Sequence, residues 1–223
     1  PLQPWQERAA ELAHILSQVK WTPVAETLSN REGGFFEKGR EYTGVPYSSV
    51  RPEGRYIGFD IALRTFLAAA ENPRSVLYTE SLKDRVPNAA AYYGSVCSAY
   101  TSYALGCALP EVSCRYGPPV GRGVVRVEAQ SARTARVGDV IYTPPATGNP
   151  GSHVGMVTAV MRDSAGRVVS VRVEESWPPT TLIRERSASE FDAHLAAKNK
   201  GLLRITDRDA WRGSNRADPL RFP

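Results

Sequence analysis

The sequence predicts an α+β fold in which N-terminal helices pack on a small, curved antiparallel β-sheet. Segments with helical spacing of apolar residues occur within the first 106 residues, and short segments rich in β-branched residues follow from residue 123 onward. Helices and strands that are separated along the chain favour α+β packing, whereas alternating strands and helices would favour a parallel sheet. The chain has 223 residues, 42% of them hydrophobic, so residues 1–223 are expected to form a single domain.

Four helical segments are expected in the first half of the chain. Residues 4–19 repeat apolar side chains at helical spacing and predict an amphipathic N-terminal helix. A short helix is expected over residues 35–42, and a turn-rich stretch follows it. Residues 57–73 predict another helix that ends at Asn72-Pro73. The last of these helices begins near Ser95 or Val96, ends near Gly106 and carries Cys97 in its first turn.

The second half of the chain has the pattern of an antiparallel sheet. Strands are predicted within residues 123–130, 139–145, 153–163 and 167–176, with a final strand over 202–206. The turn sequence DSAGR at residues 163–167 predicts a hairpin between two of these strands. Residues 188–199 predict a helix near the C-terminus, and it contains His194.

Composition excludes several classes of protein. The net charge is +5 and the pI is about 9.2, but the basic residues are dispersed along the chain. The chain has no basic stripe interleaved with aromatic residues, so nucleic-acid binding is not predicted. The sequence has no run of eighteen apolar residues, so a membrane span is not predicted. The sequence starts at a proline and has no signal peptide of its own, so export of the protein stays open at this point.

The cysteines and histidines indicate thiol chemistry and not a metal site. The three histidines have no ligand spacing with the three cysteines, so no metal and no other cofactor is expected. Cys107 and Cys114 lie close together in CALPEVSC, where they either form a disulfide or are both reduced and buried. If they pair, Cys97 is the free thiol.

Cys97 and His153 are the candidates for a nucleophile and its base. The start of a helix stabilises a thiolate through the helix dipole, and a neighbouring imidazole adds charge pairing. His153 opens a predicted strand in GSHVGMVTAV, whereas His14 and His194 lie within predicted helices, where a structural role is expected. The backbone amide of Cys97 is placed to hold an oxyanion.

The third catalytic partner must be an acceptor that orients the imidazole. The strand RVVSVRVEES offers Glu174 and Glu175, and strand alternation puts them on opposite faces. Glu175 shares a face with the valines that are expected to face the core, and Glu174 shares a face with Arg172 that is expected to be solvated. Glu175 is therefore favoured, with Glu174 as the open alternative.

These motifs together resemble the NlpC/P60 superfamily of papain-like cysteine peptidases and amidases, including its CHAP branch. The resemblance covers about residues 35–178: REYTGVPYS, the cysteine helix VCSAYTSYALG, the turn and strand VGDVIYTPP, the strand SHVGMVTAV, and a polar residue on the next strand. It implies a papain-like fold with a Cys97, His153 and Glu175 triad, and Tyr47 and Ser98 as substrate-binding residues. Two departures are Val96 and Ala99 around the cysteine and a long helical insertion at about residues 48–93.

The resemblance implies a cysteine hydrolase that cleaves a peptide or amide bond in bacterial peptidoglycan through a thioacyl-enzyme. It also implies an extracytoplasmic protein whose leader is not in the chain. One alternative is a lipid-ester hydrolase or acyltransferase with the same triad. Apolar residues of the insertion would then line an acyl pocket: Phe59, Phe66, Leu67, Val76, Leu77 and Tyr78. The other alternative is a cell-wall-binding module in which the triad is inactive.

Overall fold

The computed structural model describes residues 2–26, 34–47, 66–75, 96–107, 121–148, 151–197 and 199–216. The chain groups into two compact units. The first comprises Pro1–His14, Cys97–Glu175 and Ile183–Asp218, and the second comprises Ile15–Val96, Ser176–Leu182 and Pro219–Pro223. The architecture is α+β, as predicted. That residues 1–223 form one catalytic domain stays a prediction.

The N-terminal helix α1 spans Pro4–Gln18, which confirms the prediction from apolar spacing. Proline suits the first turn of a helix because its missing N–H would have no partner there. The residues at helical spacing Ala9, Leu12, Ala13 and Leu16 are all buried.

The second unit contains a two-stranded antiparallel sheet, in which β1, Lys20–Trp21, pairs with β2, Tyr42–Thr43. The helix predicted over residues 35–42 is therefore wrong. Trp21 draws this segment into long-range contacts: its ring lies 5.0 Å from the ring of Phe36 and 5.1 Å from that of Tyr42, and its Nε1–H donates to the Gly44 carbonyl at 2.8 Å. These contacts replace the local hydrogen bonds of a helix.

Only part of the predicted insertion falls among the described residues. Residues 66–70 are helical, in agreement with the helix predicted over 57–73. Phe66 is fully buried, with its ring 4.9 Å from that of Trp21, so it belongs to an aromatic core. Leu67 is partly buried. The other residues considered for an acyl pocket, Phe59, Val76, Leu77 and Tyr78, lie outside the described residues.

The first unit is built on a six-stranded antiparallel sheet with the spatial order β3-β8-β4-β5-β6-β7. Its strands are β3, Val124–Arg126; β4, Val140–Thr143; β5, His153–Arg162; β6, Val168–Glu175; β7, Leu182–Ser187; and β8, Gly201–Ile205. Five of these were predicted, and the hairpin at DSAGR is confirmed by the hydrogen bond from Asp163 N–H to the Arg167 carbonyl. Strand β7 was not predicted, because its charged sequence LIRERS suits an exposed sheet edge and has little apolar pattern.

Among the described residues, the first unit contains three further α-helices and a short 3-10 helix, Ala132–Thr134. Helix α2, Cys97–Ala104, and helix α3, Ala188–Ala197, were predicted, whereas the short helix α4, Arg208–Arg212, was not. Helix α2 packs against β5 and β6. In α4, the Asp207 side chain caps the helix by accepting from the Ala210 N–H.

Both faces of this sheet are covered. On one face, β5 and β6 contribute Val157, Val171 and Val173 to a core that includes Phe191 and Leu195 of α3. Residues that alternate with these on the strands, such as Val154 and Met156, are equally buried. Since β4, β5 and β6 have buried residues on both faces, buried polar side chains on either face of this part of the sheet need partners.

Candidate active site

Cys97 is the first residue of α2 and is almost completely buried, with 6% of its surface exposed. Its thiol is free. The first N–H groups of a helix have no partner within the helix, and the dipole there favours negative charge. Within α2, the Cys97 carbonyl accepts a hydrogen bond from the Thr101 hydroxyl at 3.0 Å. The Tyr100 hydroxyl donates to the Ala13 carbonyl and so joins the start of α2 to α1.

His153 and Glu175 meet at neighbouring strand ends. His153 is the first residue of β5 and Glu175 the last of β6, and the antiparallel pairing of these strands brings the two ends together. His153 Nε2 lies 2.6 Å from Glu175 Oε2, and only 19% and 15% of the two side chains are exposed. A hydrogen bond this short between largely buried partners fixes the orientation of the imidazole ring.

Gly155 provides the space for this pair. A Cβ at that position would lie 3.3 Å from Glu175 Oε2 and 3.1 Å from Val173 Cγ1. Any larger residue in the His-Val-Gly motif would therefore press on the carboxylate that holds the histidine.

His153 also forms a side-chain hydrogen bond with Cys97. Since Nε2 faces Glu175, we expect Nδ1 to be the ring nitrogen that faces the thiol. Burial opposes protonation of the ring, but the hydrogen bonds and charges of Cys97 and Glu175 outweigh it and raise the pKa of His153 to about 9. His153 is therefore cationic at neutral pH and lies between the Cys97 sulfur and the Glu175 carboxylate.

Cationic side chains surround the far side of Glu175. Arg184 Nε of β7 lies 3.3 Å from Glu175 Oε1, and Lys200 Nζ donates to the Thr143 hydroxyl, opposite His153 in the strand pairing. Burial tends to raise the pKa of Glu175, but the hydrogen bond and charge of His153, together with Arg184 and Lys200, give a net lowering. Glu175 is thus ionised at neutral pH.

Arg186 extends this cationic cluster, and His194 lies within reach of its charges. Burial, with Lys200 and Arg186, lowers the pKa of His194 to about 4, so this histidine is neutral at pH 7. Sequence reasoning missed this cluster, because Arg184, Arg186 and Lys200 lie in segments without a recognisable motif and approach Glu175 only through the fold.

The two adjacent glutamates of β6 have different histidine partners. Glu174 is fully buried, and its Oε1 accepts a hydrogen bond from His14 Nδ1 of α1 at 2.8 Å, while Arg172 Nε lies 3.6 Å from its other oxygen. The expectation that the face of Arg172 and Glu174 is solvated is wrong, because Glu174 is fully buried and bonds to His14. Glu175, and not Glu174, contacts His153.

Ser98 and Tyr47 were the expected substrate-binding residues. Ser98 is the second residue of α2 and is 9% exposed. Tyr47 belongs to the second unit, where it is partly buried and its N–H donates to the Pro179 carbonyl at 2.9 Å. Their binding roles stay predictions.

The turn at Gly138 and Asp139 supports the sheet. Gly138 has a φ of +87° and donates to the Val157 carbonyl of β5. Asp139 is fully buried and accepts hydrogen bonds from Arg204 Nε at 2.9 Å and Arg204 Nη2 at 2.8 Å. Burial raises the pKa of Asp139 despite the opposing effect of Arg204. The motif therefore joins β4 to its neighbours β5 and β8.

Other predicted features can be checked only within the described part of the chain. There, no group of three or more potential ligands could hold a metal ion, and no helix has the length and apolarity needed to cross a membrane. Cys107 is buried and is not joined to Cys97, while Cys114, its proposed disulfide partner, lies outside the described residues.

In comparisons with known proteins, no family model, curated protein or solved structure matches this chain. The candidate site therefore rests on its own geometry.

Proposed function

We propose that this protein is a cysteine hydrolase of the papain-like NlpC/P60 type that cleaves an amide bond. The observation that carries the proposal is the hydrogen-bonded series Cys97–His153–Glu175, with the thiol at a helix start and the imidazole held by a carboxylate. A buried cysteine with a purely structural role does not require a charged histidine fixed in this way. The order of cysteine helix, histidine strand and acidic strand end also supports the NlpC/P60 assignment.

The mechanism begins with a Cys97 thiolate and a protonated His153. The sulfur attacks the amide carbonyl, and the Cys97 N–H donates a hydrogen bond to the oxyanion that forms. His153 transfers its Nδ1 proton to the nitrogen of the leaving amine as the carbon–nitrogen bond breaks, and a thioester remains.

Hydrolysis of the thioester restores the enzyme. Neutral His153 accepts a proton from water, the hydroxide adds to the thioester, and the carbon–sulfur bond breaks to release a carboxylic acid and the thiolate. Glu175 keeps Nε2 as the donor nitrogen during both steps, so that Nδ1 exchanges the proton.

The substrate we propose is the peptide part of bacterial peptidoglycan, which also implies an extracytoplasmic location. The cationic cluster of Arg184, Arg186 and Lys200 supports an acidic substrate, because positive charge beside the site raises the local concentration of anions. A γ-D-glutamyl bond has this character, since it leaves a free carboxylate close to the amide. The amide that joins peptide to sugar is the other candidate bond.

The test is cleavage of purified muropeptides, followed by mass spectrometry of the products. We expect Cys97→Ser and His153→Ala to lower kcat/KM by at least about a thousandfold, while His194→Ala, which removes the neutral histidine outside the triad, retains most activity. Cleavage by Cys97→Ser at the wild-type rate would remove the thiol from the mechanism. Hydrolysis of acyl esters without cleavage of muropeptides would support the lipid-ester alternative.

Alkylation by iodoacetamide separates an inactive binding module from an enzyme with an unknown substrate. We expect Cys97 to be modified at pH 7 and the rate to fall by about tenfold or more in His153→Ala, because the imidazolium stabilises the thiolate. Peptide mapping identifies the labelled cysteine. If Cys97 is unmodified in the folded protein, or if the rate does not depend on His153, the site is not an activated thiol.

A further inference from the structure

We propose that a groove lined by five arginines binds a multivalent oxyanion, such as consecutive phosphate or carboxylate groups of an anionic polymer. The groove has a volume of about 530 Å³. The arginines are Arg126, Arg133, Arg136, Arg162 and Arg204. This arginine groove lies entirely within the first unit and contains none of the residues of the proposed triad.

Most of the positive charge in the arginine groove is not compensated by the protein. Arg204 pairs with the buried carboxylate of Asp139. Within the described part of the chain, no carboxylate forms an ion pair with the other four arginines, and the one acidic residue among the lining residues is Glu128. The groove therefore has an excess of three positive charges, which a bound anion would offset.

The side chains that line the groove indicate the chemistry of the ligand. Guanidinium groups present paired N–H donors that match the two oxygens of a phosphate or carboxylate group, and several such groups close together favour a ligand with several anionic groups. The described lining residues include no aromatic side chain. Nucleic-acid bases usually stack on aromatic rings, so the groove favours an anion without bases.

The position of the arginine groove separates it from the triad. Arg162 is the last residue of β5 and His153 the first, and a ten-residue strand spans about 30 Å. On the other side of the groove, Arg126 is on β3, which is three strand spacings, about 14 Å, from β5 in the sheet. A ligand in the groove is thus too far away to be the group undergoing cleavage. The groove would instead tether the protein to a polymer, a role that does not depend on the proposed amide hydrolysis.

The experiment is titration calorimetry of the full chain with three probes: linear tripolyphosphate, a short polyglutamate peptide and a single-stranded oligonucleotide. The test variant replaces Arg126, Arg133 and Arg136, all exposed, by glutamine. The matched control makes the same three changes in charge at arginines elsewhere that form ion pairs, namely the partly exposed Arg8 and the exposed Arg40 and Arg167. Circular dichroism and melting temperature verify that all three proteins are folded.

We expect tripolyphosphate or polyglutamate to bind the wild type, the test variant to lose about tenfold or more in affinity, and the control variant to lose much less. The probe that binds more tightly identifies phosphate or carboxylate as the natural group. Failure of both probes to bind the wild type, or equal losses in the two variants, would overturn the proposal. Tighter binding of the oligonucleotide than of tripolyphosphate would also overturn it. Muropeptide cleavage by the test variant should remain at the wild-type level, which keeps this result distinct from the test of catalysis.

Discussion

Replacing Glu175 by glutamine removes one negative charge but retains a hydrogen-bonding oxygen beside His153. In the wild type this charge lies 2.6 Å from Nε2 and helps to raise the pKa of His153 to about 9. A hydrogen bond to a charged group contributes about 1.5–3 kcal/mol and a neutral one about 1 kcal/mol, so the substitution loses about 1–2 kcal/mol. Each 1.4 kcal/mol changes a pKa by about one, so His153 should titrate near pH 8 in Glu175→Gln.

The assay is NMR titration of the histidine ring signals, which requires no substrate. We expect His153 to remain protonated up to about pH 9 in the wild type, and its pKa to fall in both Glu175→Gln and Cys97→Ala, since both partners favour the imidazolium. The control is Glu185→Gln on β7, an exposed carboxylate that accepts a hydrogen bond from the Ser170 hydroxyl. The reasoning is refuted if wild-type His153 titrates near 6.5, or if Glu175→Gln and Glu185→Gln leave it equally unchanged.

Two further predictions concern stability and are measured by urea denaturation. Gly155→Ala places a Cβ 3.3 Å from Glu175 Oε2, so we expect a loss of about 1–3 kcal/mol in the free energy of unfolding, whereas Gly121→Ala, whose Cβ would meet its nearest atom at 4.0 Å, should cost much less. Equal effects of the two changes would contradict the close approach at Gly155. Asp139→Ala leaves the largely buried Arg204 without its carboxylate partner and should cost about 3 kcal/mol or more; a loss below about 1 kcal/mol would mean that the pair contributes little.

The fold class and most elements of the first unit could be predicted because local patterns determine them. Apolar spacing located α1, and alternating β-branched residues located β4, β5 and β6. The helix predicted over residues 35–42 was wrong because the contacts of Trp21 and the pairing of β1 with β2 determine the conformation of that segment. A local sequence pattern cannot predict such long-range contacts. Strand β7 escaped prediction because its edge position tolerates a charged sequence.

Part of the candidate site could be predicted from the sequence. Cys97, His153 and Glu175 were chosen from a helix start and strand alternation, and the structure brings these three side chains together. The burial of Glu174 was not anticipated, since it depends on a histidine 160 positions away in the chain. The cationic surroundings of Glu175 were equally hidden, because Arg184 reaches it from a neighbouring strand.

The end of β6 has a practical consequence for shortening this protein. Its two adjacent glutamates form bonds on opposite faces of the sheet, one with His153 and the other with His14 of α1. A fragment that omitted α1 would leave the buried Glu174 carboxylate without its imidazole partner, one residue from the carboxylate that contacts His153. A minimal fragment designed for crystallography or for activity screens should therefore retain the helix from Pro4 onward.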